Sequence, residues 1–133
     1  MIRKTKIVKS KKHLEWVARN HVCLRCRSNY SVAPAHIRHT DSKGNIGWGI
    51  KPCDGMVVPL CWLCHQLQHS MNEIKFWTCV MKCNPIQIAY NLALKTPCKK
   101  IKQLTKEGYF NEPIIYYDNL QASTKSTTES ENL

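Results

Sequence analysis

The chain contains no uninterrupted apolar stretch near the roughly 20 residues that a membrane-spanning helix needs, so we expect no transmembrane segment. The N-terminus also lacks the apolar core of a secretory signal, which predicts a cytoplasmic protein. No helix pattern rich in tryptophan or phenylalanine accompanies the basic runs. We therefore expect no membrane surface as a partner.

Acidic residues are also scarce, with 9 Asp and Glu against 20 Lys and Arg and a net charge of +11. Six of the first twelve residues are basic and none is acidic. They are Arg3, Lys4, Lys6, Lys9, Lys11 and Lys12. Such an imbalance favours a polyanionic partner, most commonly nucleic acid, over a merely solvated basic surface. We predict that residues 1–12 form a flexible basic arm that contacts phosphates.

The last stretch, residues 121–133, has no aromatic residue and too little apolar surface to offset the entropy of ordering it. The 133 residues suit one domain with appendages. We predict a folded domain over 13–96 and a segment over 97–133 that is first basic, then polar, and partly disordered. A domain this small usually needs a metal or a disulfide to stabilise it.

Eight cysteines are present, and without a secretory signal their spacing favours metal binding over disulfides. Two Cys-x-x-Cys pairs, Cys23 with Cys26 and Cys61 with Cys64, are separated by 34 residues. Each short loop lets two thiolates reach one zinc, so the four cysteines predict a structural Zn²⁺ site. Two unrelated redox or buried pairs are the alternative. The other four, which show no such spacing, are expected to be buried thiols: Cys53, Cys79, Cys83 and Cys98. The alternative for Cys79 and Cys83, four residues apart on a predicted helix, is half of a second metal site.

Hydrophobic patterning predicts an α+β fold in which the order strand, loop, strand, helix links the two cysteine pairs. The predicted elements are a helix starting at Ser10 or Lys11, an extended segment 30–40, a loop 41–55, a strand 56–60, a helix 62–69, a helix introduced by a capping box at 70–73, and a helix that begins at Asn84-Pro85 and ends before Pro97.

Histidines stand where a second metal could bind. His65 directly follows Cys64, and His69 comes four residues later, which on a helix places both imidazoles on one face. His36 lies in the first extended segment. A single histidine is more often a surface or core residue, but two at metal-ligand spacing beside a zinc site favour a functional site.

These motifs together resemble the HNH (ββα-metal) endonucleases. The similar segments, in order, are Cys23 to Cys26, Ala35 to Arg38, Gly47 to Gly49, Lys51 to Asp54, Val58 to Cys61, and Cys64 to His69. The branch that looks closest is that of the recombination-enhancement nucleases of phages and prophages. The resemblance covers residues 13–96 and implies a zinc-stabilised ββα-metal core with flanking helices, in a bacterial cell or a phage-infected host.

The resemblance implies metal-dependent hydrolysis of DNA, single- or double-stranded. His36 matches the general base, and His65 with His69 match the ligands of a catalytic divalent metal, which could be Mg²⁺, Mn²⁺ or Zn²⁺. The expected products carry a 3′ hydroxyl and a 5′ phosphate. A recombination protein is a conceivable partner, but no residue identifies it.

Two positions depart from the family pattern. Ala35 stands where many members carry a further metal ligand, and Met56 lies near the expected position of the asparagine that orients the base. Asp54 could supply either function, or could be a turn residue or a loop carboxylate paired with Lys51. Arg38 and His39 are candidates for phosphate contacts or for a solvated strand end.

Two rival hypotheses use the same cysteines. A zinc-containing nucleic-acid-binding module without activity would explain the basic charge but leaves the three histidines without a role. A protein-interaction zinc domain would leave the charge unexplained as well.

Overall fold

A computed structural model of the chain describes residues 8–38 and 53–111. In these two ranges the fold is α+β, with one two-stranded antiparallel hairpin, five α-helices and a short π-helical turn. The elements are α1 Lys11–Asn20, β1 Val32–His36, β2 Val57–Cys61, α2 Trp62–His69, α3 Glu73–Lys75 continued by the π-helical turn Phe76–Met81, α4 Pro85–Lys95 and α5 Lys99–Lys106.

The hairpin pairs β1 with β2 so that Pro34 lies opposite Pro59 and His36 opposite Val57. Because proline has no N–H, the two prolines occupy a position of the ladder where facing residues do not bond each other. The bond from the Ile37 N–H to the Met56 carbonyl, at 2.9 Å, fits this alternation. His36, two residues from Pro34, therefore also turns its N–H and carbonyl away from β2.

Alternation along β1 separates the core from the candidate site. Ala35 is fully buried and Ile37 is nearly so, and both belong to the main core cluster. His36 points to the opposite face of the strand and stays partly exposed. β2 is buried along its whole length because both of its faces are covered, with Val58 on the main cluster and Val57 on a smaller one formed with Val17 of α1.

α1 begins where the sequence predicts it. The Ser10 hydroxyl accepts a hydrogen bond from the His13 N–H at 3.1 Å, which is the usual satisfaction of a free helix donor. His13 and Val17 form the buried side of the helix, and α1 packs against both strands of the hairpin. The residues just before α1 lie next to the turn that precedes β2, since the Ser10 N–H donates to the Asp54 carboxylate.

The predicted arm ends earlier than residue 12. Residues 8–10 are held by two backbone contacts, since the Asp54 N–H donates to the Val8 carbonyl at 2.9 Å and Lys100 Nζ donates to the Lys9 carbonyl at 2.9 Å. Lys11 and Lys12 are the first two residues of α1, with exposed side chains. Residues 8–12 therefore belong to the folded domain, because their backbone groups are bonded to it.

The capping box predicted at 70–73 is wrong. Ser70 caps the end of α2, and its N–H bonds to the carbonyls of Gln66 and Leu67. The cap of α3 is Asn72, whose side chain accepts from the Lys75 N–H at 3.0 Å. Glu73 turns inward instead of reaching back along the chain, because it is the centre of a buried polar network.

α4 confirms the predicted start at Asn84 and Pro85, with the Asn84 side chain accepting from two N–H groups of the first turn. A further helix follows where the sequence suggested a basic, partly disordered segment. Ile101 and Leu104 of α5 are buried in the main core cluster, as is Phe110 beyond it. The folded domain therefore continues past residue 96 to at least 111. Within the described ranges, none of the helices is both long and apolar enough to cross a membrane.

Candidate functional site

Four cysteines from the two predicted pairs meet at one point. Their sulfur atoms all lie within 4.8 Å of one another. The Sγ atoms of Cys26 and Cys61 are 3.5 Å apart, close to the roughly 3.8 Å that tetrahedral Zn–S bonds of about 2.3 Å imply. The cluster of Cys23, Cys26, Cys61 and Cys64 could therefore bind zinc with little rearrangement.

Local backbone geometry explains why each pair converges. The Cys26 N–H points at Cys23 Sγ, 3.5 Å away, and the Arg27 N–H bonds to the Cys23 carbonyl at 3.0 Å. Arg27 adopts the left-handed conformation, with a φ of 64°, which closes the short loop. The second pair straddles a helix start, because Cys61 caps α2 and Cys64 lies in its first turn. The hairpin joins the two pairs, since Cys61 is paired with Val32.

The thiols of the cluster have opposed acidities. Burial disfavours the Cys23 thiolate, but hydrogen bonds from the backbone N–H groups of Cys26, Cys61 and Arg25 outweigh it and lower the pKa of Cys23 to about 6. Burial raises the pKa of Cys64, and so do its neighbours Cys61 and Cys23, against the Arg25 guanidinium. The Cys23 thiolate forms readily, and its negative charge then disfavours deprotonation of the neighbouring Cys64 thiol. A divalent cation removes this conflict, because it stabilises all four thiolates together.

His36 is bonded to a carboxylate. Its Nε2 lies 3.0 Å from Oδ1 of Asp54, in the turn that precedes β2. The Asp54 side chain is only 6% exposed whereas that of His36 is 30% exposed. With Nε2–H donating to Asp54, the lone pair of His36 is on Nδ1. A partly exposed imidazole oriented by a buried carboxylate can accept a proton from water.

Asp54 is itself held by the N-terminal segment. The Ser10 N–H donates to Asp54 Oδ2 at 2.7 Å, so each carboxylate oxygen has a partner. Ser10 at the same time caps α1 and lies 2.9 Å, oxygen to sulfur, from the buried Cys98. The sequence predicts a helix start at Ser10 or Lys11 but carries no signal of the contact between Ser10 and Asp54, 44 positions away.

His65 and His69 lie side by side on α2. Their ring centroids are 4.9 Å apart, as expected for residues one helical turn apart. Burial lowers the pKa of His65, and the charges of His69 and then His36 add to the effect. The three histidines are thus close enough for their charges to interact, and the lowered pKa favours the neutral imidazole that metals require.

Across residues 8–38 and 53–111, the four cysteines are the one group of three or more potential ligands whose donor atoms converge in this way. His36, His65 and His69 do not form a second such group. A metal at α2 would therefore have two protein ligands from these helix histidines, with its remaining positions open.

Arg38, considered for a phosphate contact, is bonded to partners within the fold. Its Nε donates to Oε1 of Glu73 at 2.7 Å, and its Nη2 donates to the carbonyls of Gln68 and Met71. The Glu73 side chain is fully buried and also accepts from the Trp77 indole N–H at 2.9 Å. This network ties the end of β1 to α2 and α3.

Gln68 extends the same network to the candidate site. Its Nε2 donates both to Glu73 Oε2 and to the carbonyl of His36, each at 3.0 Å. The His36 carbonyl is available because the ladder position of His36 turns it away from β2. Neither Gln68 nor Glu73 was predicted as a site residue, because their burial depends on the tertiary fold.

Several predicted residues fall elsewhere. His39, Arg3, Lys4 and Lys6 lie outside the described residues, as does most of the predicted loop. Of the four unpatterned cysteines, Cys53 and Cys98 are buried as expected, whereas Cys79 is exposed and Cys83 is partly exposed. Neither Cys79 nor Cys83 belongs to a convergent ligand group within the described ranges.

Comparisons with known protein families, with curated protein sequences and with solved structures found no significant match.

Proposed function

We propose that the chain is a zinc-stabilised, metal-dependent endonuclease of the HNH type that hydrolyses DNA phosphodiester bonds. One observation carries the proposal. A strand histidine, His36, is bonded to a buried Asp54 at the start of the next strand, and the helix that follows presents His65 and His69 together. The order strand, strand, helix is that of the ββα-metal core implied by the sequence resemblance.

His36 is proposed as the general base. The bond from Nε2–H to Asp54 fixes the ring orientation and leaves Nδ1 as the basic nitrogen. Asp54 would also stabilise the imidazolium that forms when His36 takes a proton from the attacking water. This assigns to Asp54 the orienting function for which Met56 is chemically unsuited.

His65 and His69 are proposed to hold the catalytic divalent metal. Such a metal supplies neutralisation of the charge that grows on the scissile phosphate and stabilisation of the leaving 3′ oxygen. The two histidines supply neutral nitrogen donors, which suit several transition metals. The net charge of +11 supports a polyanionic substrate.

The test is nicking of supercoiled plasmid by zinc-loaded protein with Mg²⁺, Mn²⁺ or further Zn²⁺. We expect His36→Ala to lower the rate by about 10²–10⁴-fold, the usual contribution of a general base. Asp54→Asn should lower it by about 10–100-fold, because the ring loses its anionic partner. His65→Ala should lose cleavage while keeping the zinc bound by the cysteines.

His21→Ala is the matched control, because His21 lies outside the proposed site, where its side chain contacts only the Val17 carbonyl and the Trp16 ring among the described residues. It should cut as fast as the parent. Equal cleavage by His36→Ala and the parent would refute the assignment of the base. Binding of DNA without nicking under any of the three metals would favour the non-catalytic zinc module, which also fits the four-cysteine cluster as the one convergent ligand group in residues 8–38 and 53–111.

A further inference from the structure

A groove of about 510 Å³ lies beside the four-cysteine cluster. This volume falls in the range of roughly 300–1,000 Å³ that small-molecule sites occupy. Its lining is mainly apolar and includes Cys26, Ser28, Tyr30, Cys61, Trp62 and Leu63. The groove is therefore formed by the first cysteine loop on one side and the start of α2 on the other.

Exposed apolar side chains are concentrated in this groove. The described residues include five exposed large hydrophobic side chains, and three of them line it. Tyr30 is 80% exposed, Trp62 59% and Leu63 69%. Because burying such surface is favourable, two aromatic rings left in water around one concavity indicate a binding surface.

The charge around the groove indicates the chemistry of its ligand. None of the described residues that line it is acidic. Arg25 and Arg27 flank Cys26 in the sequence, and both are exposed. Flat aromatic faces with cationic neighbours fit a nucleobase and its phosphate, since every base offers a face for stacking and every phosphate an anion. An apolar peptide could pack against the aromatic rings but would offer no anionic group to the two arginines.

The groove also adjoins the proposed catalytic histidines. Trp62 precedes His65 by three residues on α2, and residues at that spacing are neighbours on a helix surface. The rise between them along the helix is about 4.5 Å. A nucleotide held at Trp62 would therefore lie beside the one whose phosphate approaches His65.

We propose that this groove binds an unpaired nucleobase of single-stranded DNA, which stacks on Trp62 with Tyr30 and Leu63 as the walls. Arg25 and Arg27 bind the neighbouring phosphates. The inference rests on the proposed DNA substrate and adds a preference for unpaired bases, because a base within a duplex cannot enter the groove.

The test compares the binding of three fluorescent oligonucleotides to zinc-loaded protein without added catalytic metal: an oligothymidylate, an abasic strand of the same length, and a duplex. We expect the parent to favour the oligothymidylate over the abasic strand. Trp62→Ala should weaken oligothymidylate binding by about tenfold, with little change for the abasic strand. Trp62→Phe should retain most of the affinity, because it keeps a ring for stacking.

Leu94→Ala is the matched control, because Leu94 is an exposed apolar residue of α4 outside the groove. It should bind all three oligonucleotides like the parent. Equal affinity of the parent for the oligothymidylate and the abasic strand would overturn the inference. So would a protein dimer that Trp62→Ala dissociates, because the groove would then serve a second copy of the chain.

The outcome is separate from that of the nuclease test. Trp62-dependent binding by a protein that never nicks DNA would support the groove and refute the nuclease. Plasmid nicking with unchanged oligothymidylate binding in Trp62→Ala would support the nuclease and refute the groove.

Discussion

Replacing Arg38 by alanine should destabilise the fold without removing a DNA contact. Arg38→Ala deletes the guanidinium that donates to Glu73 Oε1 at 2.7 Å and to two backbone carbonyls at 3.2 and 3.3 Å. The Glu73 carboxylate remains fully buried. Its other donors are the Arg38 backbone N–H, the Gln68 amide and the Trp77 indole, all of them neutral.

Arg38→Ala should lower the free energy of unfolding strongly, because the buried Glu73 carboxylate loses its counter-ion. Breaking a buried ion pair from one side costs about 3–5 kcal/mol, whereas the whole domain is expected to have about 5–15 kcal/mol of stability. The double variant Arg38→Ala with Glu73→Gln should lose less than the sum of the two single variants, since the uncompensated charge is gone.

Urea unfolding of zinc-loaded protein, followed by tryptophan fluorescence, measures these free energies. Arg19→Ala is the matched control, because Arg19 is an exposed arginine in the last turn of α1. It should change stability by less than about 0.5 kcal/mol. The reasoning fails if Arg38→Ala is equally stable but lowers the slope of log affinity for DNA against log salt by about 0.9, the signature of one lost phosphate contact.

Two further predictions concern the metal cluster and a buried histidine. Cys64→Ser should lose the single zinc per chain and unfold the domain, whereas Cys79→Ser, at an exposed cysteine outside the cluster, should retain both zinc and fold, as metal analysis and circular dichroism would show. Burial lowers the pKa of His13 to about 4 despite the nearby Asp54 charge. Only the unfolded chain then binds this proton between pH 6.5 and 4, so stability is complete above pH 6.5 and falls by about 2 kcal/mol by pH 5. Urea unfolding at pH 6.5 and pH 5 should show a smaller loss of unfolding free energy in His13→Asn than in the parent. An equal loss in the two proteins would contradict the assignment to His13.

Local signals in the sequence were sufficient for most of the helices and strands. The Asn84-Pro85 start of α4 and the start of α1 at Ser10 or Lys11 depend on contacts within three residues, and both were predicted correctly. The capping box at 70–73 failed for the opposite reason. Glu73 has the right spacing for a box, but its carboxylate bonds to Arg38, 35 positions away. The sequence did not indicate α5, because the helix is rich in lysine and its buried side consists of only two apolar residues, Ile101 and Leu104.

The cysteine cluster could be predicted because metal geometry restricts the spacing of its ligands. The partner of His36 could not be deduced in the same way. Asp54 was one of several possibilities in the sequence, and the choice depends on the hairpin register and on Ser10, which lies in a segment expected to be a flexible arm. Long-range pairing of this kind leaves no periodic signal along the chain.

The facing prolines of the hairpin, Pro34 and Pro59, also limit the hydrogen bonds that the outer edges of the sheet can offer. At the centre of each outer edge, Pro34 and Pro59 present no N–H to an incoming strand. The Pro59 carbonyl is already bonded to the Leu24 N–H at 2.9 Å, and that of His36 to Gln68. Neither edge therefore offers a continuous row of free backbone groups. The hairpin is consequently protected against edge-to-edge aggregation, and assembly of several chains through a shared β-sheet is disfavoured.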